Sequence, residues 1–235
     1  MREVISDASE FELPRTDQRV VIVGRTGCGK TQFASFLLSE APFDEMPFIV
    51  FDFKGEKFFR DLVARGHMKI IAIGTLPDQP GLYMVQPAPG RDDEAIEGYL
   101  WQIWEHENIG IVVDELYMID PRSDAFNAIL TQGRSKNIPM INLTQRPVAV
   151  SRWNFSESSH IVVFHLNHIK DRQTVAEHMP IDKDLRMPEY HSRWYDVNRN
   201  KLFHVQPAPG QEAILKRFDD RLKPDEEEKP ARIVL

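Results

Sequence analysis

Short hydrophobic runs, bounded by turn-forming and polar residues, recur along the whole chain. The runs at 48–51, 109–113 and 161–164 are continuous rather than alternating with polar residues. A continuous run is typical of a strand that is covered on both faces, as in a parallel sheet between helices. The pattern predicts strands over 19–24, 47–53, 69–73, 82–86, 109–114, 138–143 and 159–166.

Between these strands, apolar residues return at helical spacing. The spacing predicts helices over 30–40, 56–65, 92–106, 122–135, 171–178 and 211–221. Near the carboxyl end, strands over 193–197 and 201–206 flank Asn-Arg-Asn and are expected to form a hairpin. This order predicts an α/β fold: a doubly wound, mainly parallel sheet with helices on both faces and a terminal antiparallel hairpin.

The composition divides the chain into three parts. We expect an N-terminal extension over 1–17, one folded domain over 18–222, and a flexible acidic C-terminal tail over 223–235. Residues 1–17 and 223–235 are both expected to lie outside the core. The tail ends in Ile-Val-Leu, which is either a docking peptide or a frayed end.

One hexapeptide, Val-Gln-Pro-Ala-Pro-Gly, occurs at 85–90 and again at 205–210. Each copy ends a predicted strand and precedes a predicted helix. Proline and glycine stop strands and start turns, so the copies can be two similar strand exits. Alternatively, both loops lie on one face of the molecule and touch a partner.

Charge and cysteine content narrow the class of protein. The 235-residue chain has a formal net charge of −7 and a single cysteine, Cys28. An acidic surface counts against a broad nucleic-acid-binding face, although a ring-shaped motor needs only a few basic residues per subunit. No apolar stretch approaches a membrane span and the N-terminus does not resemble a secretory signal, so we expect a protein of a reducing compartment.

Residues 24–31 read Gly-Arg-Thr-Gly-Cys-Gly-Lys-Thr and follow directly on an apolar strand. This is the spacing of a phosphate-binding loop, in which glycines let successive backbone N–H groups point into one concavity. Lys30 is expected to reach the β- and γ-phosphates of ATP, and Thr31 to offer its hydroxyl to Mg²⁺. Cys28 lies near a helix N-terminus, where we expect the thiolate to be favoured and alkylation to block nucleotide binding. The predicted nucleotide-binding residues are Gly24, Arg25, Thr26, Gly27, Cys28, Gly29, Lys30, Thr31 and Gln32.

A second group of polar residues follows later strands. The apolar run 109–113 ends in Asp114 and Glu115. Asp114 is suited to hold Mg²⁺ opposite Thr31, and Glu115 to polarise the water that attacks the γ-phosphate. The run 138–143 leads to Gln145, whose amide is placed to contact the γ-phosphate or that water. For Gln145 the alternative is a polar strand exit stopped by the following proline.

Two basic residues are candidates for neutralising charge during phosphoryl transfer. Arg134, in a basic cluster at the end of a predicted helix, is suited to act as a finger inserted into a neighbouring subunit's site. The alternative is that the cluster complements the helix dipole. Lys54, which directly follows the predicted strand over 47–53, is the second candidate.

These residues resemble the FtsK/HerA superfamily of DNA-pumping ATPases over roughly 19–206. The segments that carry the resemblance are the phosphate-binding loop, Phe-Asp-Phe-Lys-Gly-Glu at 51–56, Val-Val-Asp-Glu at 112–115, and 133–147 with its Thr-Gln-Arg-Pro. The resemblance implies a RecA-like P-loop fold and a hexameric ring with ATP sites between subunits. It also implies that Asp114 and Glu115 are the metal and catalytic carboxylates, that Gln145 is the sensor, and that Arg134 acts in trans.

We expect this chain to contain little beyond the motor domain, and a bare motor of this size is most similar to the genome-packaging ATPases of tailless, membrane-containing viruses. We therefore expect an ATP- and Mg²⁺-dependent translocase of double-stranded DNA, found in host cytoplasm or at a virion's packaging vertex beside capsid or membrane proteins. A cellular or conjugative DNA pump, a nucleotide-gated assembly protein and a small-molecule P-loop kinase are the alternatives. The candidate DNA-contacting residues are Arg91, Arg122, Arg152, Lys170 and Arg172.

Overall fold

A single nine-stranded sheet organises the chain. The computed structural model describes residues 5–15, 17–184 and 186–222. In these residues the strand order is β3-β4-β2-β5-β6-β1-β7-β8-β9. The strands are β1 Arg19–Val23, β2 Pro47–Asp52, β3 Met68–Ile70, β4 Gly81–Val85, β5 Gly110–Asp114, β6 Met140–Thr144, β7 His160–Val163, β8 Ser192–Asp196 and β9 Lys201–Val205.

Strands β1 to β7 are parallel to their neighbours, and β7–β8 and β8–β9 pair antiparallel. Two successive reversals make β9 run in the same direction as β1. The carboxyl ends of β1 to β7 and of β9 therefore meet at one edge of the sheet, which we call the carboxyl edge. The predicted mainly parallel sheet with a C-terminal hairpin is confirmed.

Helices cover both faces of this sheet. They are α1 Lys30–Glu40, α2 Lys57–Ala64, α3 Asp93–His106, α4 Asp124–Gln132, α5 Trp153–Ser156, α6 Ile169–Ala176 and α7 Gln211–Arg221. Three-residue 3₁₀ turns occur at Ala8–Glu10, Leu116–Met118 and Pro147–Ala149. No described helix is long and apolar enough to cross a bilayer.

Most predicted elements lie where the pattern placed them, and the differences have local causes. Helix α4 is shorter than the predicted 122–135. The Ser123 hydroxyl caps its start by accepting the Phe126 N–H at 3.0 Å, and a turn follows Gly133. Strand β7 is shorter than the predicted 159–166, because beyond Val163 the backbone pairs with the loop that follows β1. The short helix α5 was not predicted.

Alternate residues of a strand pack into different layers of the core. Val20 and Ile22 of β1 face the layer formed by α1, α2 and α7, whereas Val21 and Val23 face the layer that contains α5 and α6. Helices α3 and α4 cover β2, β4 and β5 on the side opposite α1. Burial on both faces explains why these strands read as continuous apolar runs.

The N-terminal segment packs against the sheet, contrary to the expectation that 1–17 lies outside the core. The Phe11 ring meets Trp194 and Phe203 edge-on, with centroids 5.2 and 5.3 Å apart. The Ser6 N–H donates to the Leu202 carbonyl at 2.6 Å, beside β9. These contacts join the segment to the hairpin. The predicted tail, 223–235, lies outside the described residues.

Candidate nucleotide and hydrolysis site

The chain leaves β1 at Val23 and enters α1 at Lys30, and the loop between them forms the centre of the site. Gly29 caps the helix with φ of 95°, a left-handed conformation that side chains rarely adopt. Gly24 is confined by neighbours: a Cβ there would lie 2.6 Å from Cys28 Sγ and 2.7 Å from the Phe164 Cβ. Both positions of the loop therefore require glycine, Gly29 because of its backbone conformation and Gly24 because a Cβ has no room. This requirement supports the phosphate-binding assignment.

Lys30 is folded back beneath this loop. Its side chain is only 7% exposed, and its Nζ donates to the Arg25 carbonyl at 3.0 Å. Burial lowers the Lys30 pKa, while the negative charge of Asp114 acts in the opposite direction. The ammonium group is thus held at the helix N-terminus, where backbone N–H groups and the helix dipole also favour an anion.

Asp114 ends β5 and is almost completely buried. It lies opposite Asp52 in the β2–β5 register, and its Oδ2 has no hydrogen-bond partner in the part of the chain that the structure describes. Burial raises the Asp114 pKa to about 6, with further upward contributions from Glu56 and Asp52. A buried carboxylate oxygen without a partner is an arrangement that suits a cation ligand.

Replacing Asp114 with asparagine is expected to stabilise the nucleotide-free protein at pH 8. The folded-state pKa of about 6 exceeds the ordinary value of 3.8, so the unfolded chain ionises at lower pH. The contribution of this group to stability therefore falls as pH rises from about 4 through about 6. In the wild type, ionisation of Asp114 lowers the free energy of unfolding by as much as about 3 kcal/mol at pH 8. The asparagine side chain does not ionise, so the variant avoids this loss of stability.

Thermal unfolding of wild type and Asp114→Asn at pH 8 and pH 5, without nucleotide, measures this difference. The gain should be present at pH 8 and should shrink at pH 5. Asp78→Asn changes an exposed carboxylate outside the site and serves as the control. Equal stability of wild type and variant at pH 8 would contradict the argument.

Glu115 follows β5 in the left-handed region, with φ of 66° and ψ of 57°. This backbone turns a buried side chain toward Lys54, whose Nζ forms an ion pair with Glu115 Oε1. The other oxygen, Oε2, is buried and has no hydrogen-bond partner among the described residues. Glu115, the predicted catalytic carboxylate, and Lys54, a predicted charge-neutralising residue, therefore meet within one chain.

Asp52 holds the loop that carries Lys54. Its Oδ1 accepts the N–H groups of Lys54, Gly55 and Glu56 at 3.3, 2.8 and 3.0 Å. In the segment 51–56 only Lys54 was predicted to have a role, and the roles of Asp52 and Glu56 were missed. The signal that could have found Asp52 is an aspartate at the end of an apolar strand, as at Asp114.

Gln145 connects the phosphate-binding loop to the strand exits. Its Oε1 accepts from the Thr26 hydroxyl, and its Nε2 donates to the Tyr117 hydroxyl at 3.0 Å. Tyr117 was not singled out by sequence analysis, since an isolated tyrosine in a short turn carries no motif. Gln145 thus lies at the carboxyl edge between β1 and β5, beside the loop.

Cys28 does not have the electrostatic environment that its motif suggested. The side chain is buried, and burial raises the pKa of the Cys28 thiol. The Lys30 charge lowers this pKa by a smaller amount. The expectation of a favoured thiolate is therefore wrong, because desolvation outweighs the nearby cation and helix terminus.

Arg134 lies at the opposite edge of the sheet from the phosphate-binding loop. It follows α4, which returns the chain from the carboxyl edge to the start of β6. Its side chain is 58% exposed, and its Nε is 3.4 Å from Asp17 Oδ2, next to the start of β1. Five-residue strands span roughly 17 Å, so Arg134 does not reach the phosphate-binding loop of the same chain.

Both copies of the repeated hexapeptide leave the sheet at the carboxyl edge, after β4 and after β9. The second copy lies beside the phosphate-binding loop: the Gln32 side chain donates to the Pro209 carbonyl at 2.7 Å. The first copy lies before α3 instead, and its Ala88 N–H donates to the side chain of Asp92, the residue that precedes that helix, at 2.7 Å.

The candidate DNA-contacting residues differ in their surroundings. Arg122 is almost fully exposed and pairs with Asp120 at 3.1 Å. Arg172 donates to the carbonyls of Asn167 and Lys183, both at 2.8 Å, so its guanidinium supports a local loop.

The sequence and the fold of this chain are both similar to those of known proteins. The sequence is 39% identical over 219 residues to the DNA packaging ATPase P9 of Enterobacteria phage PRD1, covering 89% of this chain and 95% of that protein. No family model matches the sequence.

Solved structures give the same result at the level of fold. The genome packaging NTPase B204 of Sulfolobus turreted icosahedral virus 2, in complex with ATP-gammaS, matches with a TM-score of 0.66 at 17% identity. That match covers 83% of this chain and 99% of the viral NTPase. EssC (ATPases 2 and 3) of Geobacillus thermodenitrificans matches with a TM-score of 0.61 at 14% identity, over 87% of this chain and 43% of EssC.

Proposed function

This chain belongs to the family of the DNA packaging ATPase P9 of phage PRD1, and we propose that it hydrolyses ATP to pump double-stranded DNA into a preformed viral capsid. The observation that carries the proposal is the meeting of four groups at one sheet edge. These are the phosphate-binding loop with Lys30, the unpartnered carboxylate of Asp114, the Lys54–Glu115 ion pair, and Gln145. Binding, charge neutralisation and water activation are the requirements of phosphoryl transfer.

In this proposal Thr31 and Asp114 would hold Mg²⁺. The residues fit that cation, because Asp114 offers a buried oxygen without a partner and ionises with difficulty in its absence. Mg²⁺ would offset the negative charge of the phosphates and of Asp114. Lys30 adds a positive charge for the β- and γ-phosphates from beneath the loop.

Glu115 is the proposed general base. Paired with Lys54, its carboxylate is a poor proton acceptor, because the ammonium stabilises the ionised form. A bound γ-phosphate offers Lys54 a competing anion. When Lys54 turns to the phosphate, Glu115 is released to take a proton from the attacking water, and Gln145 is placed to orient that water or contact the γ-phosphate.

We further propose a hexameric ring in which Arg134 acts on a neighbour's ATP. Its distance from its own loop and its exposure support action across an interface. Arg134→Ala and Lys30→Ala subunits are each expected to be inactive alone, and a mixture should regain activity because some sites combine an intact loop with an intact arginine. ATPase rates measured across mixing ratios test this, and no recovery at any ratio would contradict a shared site.

The proposed partners are double-stranded DNA, further copies of this chain, and capsid or membrane proteins at a packaging vertex in the virion or host cytoplasm. Exposed basic residues such as Arg122 are candidates for contact with the DNA backbone. Because the chain is acidic overall, we expect these contacts to be few per subunit and sensitive to salt.

The ATPase rate with and without duplex DNA, measured together with the oligomeric state, tests the proposed function. A packaging motor should turn over faster on duplex DNA and should assemble. Turnover that needs a small-molecule phosphate acceptor would favour a kinase, and ATP-dependent assembly without turnover would favour a gated assembly protein. The ATPase rate of Glu115→Gln, which lacks the proposed general base, serves as the background rate of the assay.

A further inference from the structure

The position of the hydrolytic groups determines which way a bound nucleotide must run. Along the sheet, β6 and β5 lie on one side of β1 and carry Gln145, Asp114 and Glu115 at their carboxyl ends. The γ-phosphate must point to that side. The nucleoside must therefore extend to the other side of β1, where β7, β8 and β9 lie.

A cavity opens on that side of the phosphate-binding loop. Its volume is about 250 Å³, and its lining includes Gly29, Phe164, Tyr190, Pro207 and Ala208. The lining is mainly apolar, which is typical of sites that bind ring systems. Phe164 is buried and forms a fixed wall, since it packs edge-on against Phe33 of α1 with centroids 5.6 Å apart.

Tyr190 is the exposed aromatic side of this cavity. Its ring lies against the loop: a Cβ on Gly29 would stand 3.2 Å from Tyr190 Cδ1. The side chain is nevertheless 47% exposed, and the backbone is left-handed with φ of 60°, which is uncommon for a tyrosine. Such a conformation is retained where surrounding structure or function requires it.

The second copy of the repeated hexapeptide forms the opposite side. Pro207 and Ala208 face the cavity, and the Pro209 carbonyl is held by the Gln32 amide at 2.7 Å. Gln32 is in the first turn of α1, directly after Lys30 and Thr31. The hydrogen bond therefore fixes an apolar loop beside the helix turn that follows the phosphate-contacting residues.

We propose that Tyr190 stacks on the aromatic base of the bound nucleoside triphosphate, in a pocket completed by the loop 207–210. This inference rests on the proposed function, because it concerns the nucleoside end of the same ATP. It gives the second hexapeptide a role in nucleotide binding, distinct from that of the first copy at α3. Stacking contributes through the ring face, so the tyrosine hydroxyl is dispensable.

Calorimetric titration of the full chain with ATP and with inorganic tripolyphosphate tests the proposal. Tyr190→Ala should weaken ATP binding by about fivefold to a hundredfold, as expected for a lost stacking partner, and leave tripolyphosphate binding unchanged. Tyr190→Phe should bind both ligands like wild type. Trp153→Ala removes another exposed aromatic, outside the cavity lining, and should also behave like wild type.

Two results would overturn the proposal while leaving the proposed function intact. One is ATP binding by Tyr190→Ala at wild-type affinity. The other is an equal loss of ATP and tripolyphosphate binding, which would make Tyr190 a support for the loop or a subunit contact. Failure of wild type to bind either ligand would instead overturn the proposed function, and this inference with it.

Discussion

Replacing Lys30 with alanine is expected to reduce ATP affinity by roughly a hundredfold or more, below ready detection by calorimetry. The ammonium group is the buried cation beneath the phosphate-binding loop, and the phosphates lose their main positive partner with it. The Arg25 carbonyl also loses its donor, so thermal unfolding must accompany the titration to establish that the variant folds. Loss of affinity in a folded variant is the expected result.

Lys57→Ala is the matched control, because Lys57 is a largely exposed lysine that pairs with Asp61 on the surface of α2. It should bind ATP like wild type. Unchanged ATP affinity in Lys30→Ala would contradict the assignment of 24–31 as the phosphate-binding loop. The proposals that depend on a bound triphosphate would then lose their basis.

Glu115→Gln is expected to bind ATP and to turn it over slower by on the order of a hundredfold or more, the usual effect of losing a general base. Glutamine has nearly the shape of glutamate and keeps an oxygen that can accept from Lys54, so the fold around the left-handed turn should persist. Its amide accepts no proton at neutral pH. Single-turnover kinetics and nucleotide titration measure the two quantities separately.

Glu45→Gln changes an exposed glutamate that is distant from Glu115 in the sequence, and its turnover rate is the control for that of Glu115→Gln. Near-normal turnover in Glu115→Gln would remove Glu115 from the role of base. A simultaneous loss of ATP binding would instead indicate that the Lys54–Glu115 ion pair stabilises the loop itself.

The sequence predicted the parallel sheet and the phosphate-binding loop because both depend on neighbouring residues. Continuous apolar runs such as 109–113 indicate burial on both faces, and the glycine spacing of 24–31 identifies a local backbone shape. Asp114 and Gln145 could be placed at one edge because parallel strands end together. The geometry agrees with each of these expectations, although the roles of the residues stay proposals.

The remaining features depend on which strands become neighbours. Asp52 faces Asp114 only because β2 pairs with β5, which follows it in the chain after two other strands. Tyr117 and Tyr190 carry no motif, and only their contacts with Gln145 and Gly29 place them beside the site. The Cys28 prediction was wrong for a related reason: the thiol is buried in a core cluster that also contains Phe164, a residue far away in the sequence, and the motif does not show this burial.

Helix α7 lies alongside α1 and is attached at both ends. At one end Gln32 bonds to Pro209, and at the other Arg221 donates to the carbonyls of Ser39 and Ala41 at 2.7 and 2.8 Å. The two helices also share an apolar layer with the sheet. The two helices are therefore coupled at both ends, and we expect any displacement of the phosphate-binding loop to move α1 and α7 together as one rigid pair.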